Sequence, residues 1–87
     1  MDTEEMTVEQ LAELFSYTLK RRPVDRKEAA ELLGLTVGTL EGYTLRGVGP
    51  YSFSPKGTRR VWYAERDLLA WLASGRRRST SEQSAAA

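Results

Sequence analysis

Residues 25–47, DRKEAAELLGLTVGTLEGYTLRG, constrain the fold more than any other part of the chain. Asp25 followed three residues later by Glu28 is a capping box: the aspartate accepts from the N3 amide while the glutamate reaches back to the cap. Val24 and Ala29 flank it as a hydrophobic staple, and Ala29, Ala30, Leu32 and Leu33 supply the buried side of a short helix. Gly34 is its natural stop, because glycine takes a positive φ at no steric cost. Thr36 then caps a second helix, expected over 37–46. Leu35 and Leu40 form its staple, Tyr43 follows on the inner side, and Gly47 ends it. Two capped helices joined by Gly34-Leu35-Thr36 read as a helix-turn-helix.

The chain has 87 residues, enough for one small domain with a modest core. Marginal stability, or support from self-association or a ligand, is therefore expected. There is no cysteine and no histidine, which removes disulfides, thiolate metal sites, the commonest general base and the commonest neutral metal ligand. Carboxylates remain, but nothing pairs them with a pocket-forming sequence. The expectation is a protein that is not an enzyme and holds no metal and no cofactor. The longest apolar runs are only a few residues, too short for a membrane span or an export signal, so a cytoplasmic location is expected.

The net charge of +1 hides an asymmetry. Residues 1–45 carry nine acids and five bases, or −4, and residues 46–87 carry three acids and eight bases, or +5, which sum to +1. Such a split suggests that one end meets a polyanion; a solvated surface with a basic tail is the other reading.

The remaining segments frame the central run. Thr7 and Gln10 form another capping box, with Met6 and Leu11 as staple. Leu11, Leu14, Phe15, Thr18 and Leu19 make one apolar stripe, so a helix is expected from Val8 to Lys20, closed by Lys20, Arg21, Arg22 and Pro23. Beyond Gly49-Pro50, residues 51–54 and 59–63 read as two short strands around a Pro55-Lys56-Gly57-Thr58 loop. Alternation places Val61 and Tyr63 on the core face and Arg60 and Trp62 on the other. A last amphipathic helix is expected over 65–74, with Trp71 in the core and Gly75 as stop. Residues 1–6 are expected to be a disordered N-terminus, 7–75 one domain, and 76–87 a disordered basic tail.

In this order, EAAELLGLTVGTL, GVGPYSFSPKGTRRVWY, RDLLAWL and RRRST resemble a bacterial or phage excisionase (recombination directionality factor), and equally AlpA-type regulators and the DNA-binding domain of MerR-type regulators. The resemblance covers about residues 24–80. It implies a mainly α fold with a small β-hairpin, a winged helix-turn-helix, here with an extra N-terminal helix. It also implies that the second helix enters the major groove of double-stranded DNA and that the hairpin wing lies along the minor groove or backbone. The long C-terminal helix and effector part of MerR-type proteins are absent, which disfavours an effector-sensing regulator.

On that resemblance the recognition helix contributes Thr36, Val37, Gly38, Thr39, Glu41, Gly42 and Arg46. Arg46 is its only base, and glycines inside a helix cost about 1 kcal/mol each relative to alanine. Either Gly38 and Gly42 allow a close approach to DNA, or their smooth face packs against another helix or subunit. Weak base readout is expected either way. The wing contributes Lys56, Thr58, Arg59 and Arg60, suited to a narrow minor groove or to phosphates, with a solvated basic loop as the alternative. Trp62 is open between DNA, a neighbouring subunit and cover for the last helix. Arg26 and Lys27 either reach the phosphate backbone or are ordinary surface charges, and Arg76, Arg77 and Arg78 form a basic cluster able to release counterions.

The function implied is an excisionase that binds cooperatively near an attachment site, bends DNA and promotes integrase-mediated excision. Several copies would sit side by side on bacterial nucleoid DNA, with a site-specific integrase as a further partner and no membrane. A small AlpA-type transcription regulator is the alternative, and a protein-interaction module on the same fold is the second.

Overall fold

The computed structural model describes residues 5–77. These residues are mainly helical: α1 (Val8–Leu14), α2 (Arg26–Leu33), α3 (Val37–Arg46) and α4 (Glu65–Ser74), with two short strands, β1 (Val24–Asp25) and β2 (Trp62–Tyr63). The ends of the central pair fall where capping chemistry places them. Asp25 accepts from the Glu28 amide at 2.8 Å, and the Glu28 side chain reaches back to the Asp25 amide at 3.3 Å. Gly34 is left-handed, and the amides of Gly34 and Leu35 donate to the carbonyls of Glu31 and Ala30, the paired bonds of a Schellman ending. Thr36 accepts from the Thr39 amide at 3.1 Å to start α3. The α2–turn–α3 unit has the layout of a helix-turn-helix.

The first helix is shorter than its apolar stripe predicts, ending at Leu14 rather than Lys20. Ser16 adopts φ +53°, and the amides of Ser16 and Tyr17 donate to Glu13 and Ala12 carbonyls. This is another Schellman ending, with serine in the position glycine usually takes. The chain then crosses to the start of α4. There Glu65, only 6% exposed, accepts from the Tyr17 hydroxyl, from Lys20 N–H at 2.9 Å and from Arg21 N–H at 2.8 Å. Burial pushes the Glu65 carboxyl up, but donation from the Lys20 amide, the Tyr17 hydroxyl and the Arg21 amide outweighs it, so the pKa lies below the usual glutamate value. For Tyr17, burial and the bond to Glu65 both push the phenol up. A buried carboxylate thus fixes the 17–22 segment against α4.

The expected hairpin of 51–54 with 59–63 is also reduced. Its two arms meet in one bridge, Phe53 with Trp62, whose reciprocal bonds are both 2.8 Å. The named sheet pairs β2 instead with β1, antiparallel, Val24 opposite Tyr63 and Asp25 opposite Trp62. The intervening loop turns at Gly57, φ +80°, with Thr58 N–H donating to the Pro55 carbonyl at 3.1 Å; this is the position where a type II turn calls for glycine.

The core lies on both sides of α4. Leu68 joins Val24, Ala29, Ala30, Leu40 and Tyr63, while Leu69 joins Leu11, Ala12 and Ala73. Tyr63 is fully buried, and its hydroxyl lies 3.1 Å from that of Thr44. The Thr44 proton goes to the Leu40 carbonyl, so Tyr63 donates and its polar end is satisfied. Trp71, expected in the core, is only half-buried. Its indole N–H donates to the Val48 carbonyl at 3.2 Å and its ring meets Tyr43 at 6.0 Å, so it covers the end of α3. Among the described residues no helix is long and apolar enough to cross a membrane.

Candidate functional site

The exposed side of α3 is smooth and almost without free charge. Thr36, Val37, Gly38, Thr39 and Glu41 are exposed and Gly42 is half-buried. A Cβ added at Gly38 or Gly42 would meet nothing within 4 Å. Packing among the described residues therefore does not require these glycines. The Thr36 hydroxyl donates to that of Thr39 at 2.9 Å, leaving the Thr39 proton for an external acceptor.

Three charged residues near this side are already engaged. Arg26 donates to Glu41 at 3.1 Å, linking the start of α2 to α3. This places Arg26 in an ion pair rather than extended into solvent, while Lys27 is exposed. The pair also compensates the Glu41 carboxylate. Arg46 folds back on its own helix: its Nε donates to the Gly42 carbonyl at 3.3 Å, and its guanidinium lies 5.4 Å from the Tyr43 ring centroid.

Lys56, Thr58, Arg59 and Arg60 are all exposed on the loop that follows. The Arg60 guanidinium sits 5.1 Å from the centroid of the half-buried Trp62 ring. Such stacking uses the face of the guanidinium and leaves its edge N–H donors available. Trp62 thus has an identifiable neighbour in Arg60. Arg76 and Arg77 are exposed beyond α4; Arg78 lies outside the described residues.

The arginines before α3 are held differently. Arg21 meets Glu9 at 3.3 Å and Arg22 meets Glu28 at 2.8 Å, with Lys20 also on Glu28 at 3.6 Å. The Arg22 guanidinium and the Asp25 amide draw the Glu28 carboxyl from 4.5 to about 2, and Glu28 in turn raises Arg22. Among the described residues, no carboxylate lies within ion-pair distance of Lys27, Arg46, Lys56, Arg59, Arg60, Arg66, Arg76 or Arg77.

Two apolar features escape the linear pattern. Leu45, Val48 and Tyr51 are prominent at the end of α3, Leu45 at 83% and Tyr51 at 80% exposure. A cleft of about 640 Å³ opens beside Arg22, Pro23, Phe53, Pro55 and Trp62. Its walls come from three separated stretches, so no local sequence signal marks it. Among the described residues, no group of three or more acidic side chains is placed to hold a metal ion. Compared with protein-family models, curated proteins and solved structures, the chain matches none.

Proposed function

We propose that this chain is a small winged helix-turn-helix DNA-binding protein of the excisionase type. The observation that carries the reading is the uneven use of cations. Those of α3, the 56–60 loop and the end of α4 have no carboxylate partner among the described residues, while Arg21, Arg22 and Arg26 do. Uncompensated guanidinium and ammonium groups on an exposed loop suit phosphate oxygens, where each neutralised phosphate releases counterions.

In this reading α3 lies against the major groove by its smooth face. Gly38 and Gly42 let the backbone approach, the Thr39 hydroxyl donates to phosphate or a base edge, and Val37 touches a thymine methyl. Lys56, Arg59 and Arg60 reach the backbone or adjacent minor groove, and Arg76 and Arg77 extend the contact. Base readout through α3 is weak, so affinity is gathered from backbone contacts and from copies bound side by side. The array bends the DNA near an attachment site and biases an integrase towards excision. A transcription regulator of the AlpA type would use the same surface for a different outcome.

Footprinting on DNA flanking the chain's own gene and nearby attachment sites tests the proposal. Contiguous protection that extends cooperatively with DNA length is expected, together with loss of excision on deletion while reporter transcription is unchanged. One isolated protected half-site without cooperativity would count against it.

A further inference from the structure

We infer that neighbouring copies of this chain join through a knob formed by Leu14 and Phe15 and the apolar cleft between Phe53 and Trp62. The inference deepens the side-by-side reading above and rests on it for its biological role, but the contact itself requires no DNA.

The cleft is open and apolar. Phe53 is 54% exposed, and with Pro23, Pro55 and Trp62 it offers hydrocarbon walls that no part of the described chain fills. Arg60, seated on the cleft's Trp62, has no carboxylate partner among the described residues, whereas Arg22, which lines the cleft, is committed to Glu28. An occupant should therefore be an apolar side chain next to an unpaired acid.

The end of α1 has that composition. Leu14 and Phe15 are 46% and 37% exposed and follow directly on Glu13, which has no cation partner among the described residues. They emerge where the left-handed Ser16 turns the chain out of the helix. Leu45 is a more exposed apolar side chain, but it adjoins Arg46 and would bring like charge to Arg60; Val37, Val48 and Tyr51 are exposed as well, but none has an acid as its chain neighbour. Of these side chains, the α1 knob is the one that brings a carboxylate.

Knob and cleft are different surfaces, so the contact is heterologous. Each copy offers a free knob and a free cleft, which propagates an array rather than closing a symmetric pair. Two side chains in a shallow cleft bury less than the roughly 1,000 Å² expected of a stable interface. The contact is thus weak in free solution and effective only where DNA holds copies adjacent.

Complementation between two full-length variants provides the test. Phe15→Glu removes the knob and keeps the cleft; Phe53→Glu does the reverse. ¹⁵N-labelled Phe15→Glu mixed with unlabelled Phe53→Glu at about 1 mM, enough to register contacts as weak as millimolar, should show saturable NMR shifts at Phe53, Trp62 and Ala64. Reversing the label should move them to residues 13–16, and either variant alone should show none. Both substitutions are at exposed sites; Phe15→Ser and Phe53→Ser serve if the charged variants unfold. Absence of shifts in the mixed sample, or shifts confined to another surface, would overturn the inference. Association of the mixed pair by a protein that ignores DNA would leave the contact standing and remove the DNA reading. DNA binding without association would do the opposite.

Discussion

Arginines before residue 27 and cations after residue 45 occupy different electrostatic settings. Arg21, Arg22 and Arg26 each meet a carboxylate, at 3.3, 2.8 and 3.1 Å. Arg46 and Arg60 instead rest on aromatic rings, and Lys56, Arg59, Arg76 and Arg77 stand in solvent. A paired guanidinium has its charge compensated by the carboxylate, whereas a ring-seated one keeps its charge uncompensated and most of its edge N–H donors free. Counting charges by halves therefore understates the contrast: the acidic half also pairs its own bases, Lys27 excepted. The difference separates arginines that hold the fold from those available to a polyanion.

The largest effect is expected on the holding side. Glu65→Gln removes the charged acceptor shared by Tyr17, Lys20 and Arg21 and should cost about 2–3 kcal/mol in urea unfolding. Acid should act in the same direction. Glu65 and Glu28 both titrate lower in the folded chain than in the unfolded one, Glu28 at about 2 against 4.5. Each contribution is present above the unfolded value and is lost as the pH falls through the folded one, about 2 for Glu28. The urea midpoint should decline across that window, and Glu28→Gln should flatten part of the decline.

On the free side, Lys56→Ala with Arg59→Ala should lower affinity for duplex DNA on the order of tenfold or more near 0.1 M salt, with stability unchanged. Equal affinity in gel-shift titrations would remove the 56–60 loop from the interface. A smaller and two-signed effect belongs to Gly38→Ala and Gly42→Ala. Each adds a methyl into open space and should raise stability by about 1 kcal/mol through helix propensity, while the same methyls hold DNA away. Higher stability with undiminished DNA affinity would contradict the close-approach role. The smallest change is expected from Arg21→Ala, within about 0.5 kcal/mol for an exposed pair and without effect on DNA binding.

The parts of the fold legible in the sequence are those set by local chemistry. The bounds of α2 and α3 follow from Asp25, Gly34, Thr36 and Gly47, because caps and left-handed stops act within a few residues. The end of α1 uses the same Schellman geometry, but Ser16 stands in the glycine position and the following segment is held by Glu65, 49 residues away. Neither signal is local. The sheet was obscured for a similar reason: Trp62 and Tyr63 pair with Val24 and Asp25, across the whole of α2 and α3. At the site, the positions of Gly38, Gly42 and the 56–60 cations were legible. Their partners were not, since the Arg26–Glu41 pair and the ring seats of Arg46 and Arg60 depend on packing.

The dependence of DNA affinity on salt tests the central claim most directly. If the cations without carboxylate partners form the DNA-binding surface, the log–log plot for a duplex should fall with a slope of about −4 or steeper. Lys56→Ala with Arg59→Ala should make that slope shallower by about 2, at about 0.9 per phosphate contact, and Arg21→Ala should leave it unchanged. A flat slope, or equal slopes for all three proteins, would contradict the division between holding and available arginines.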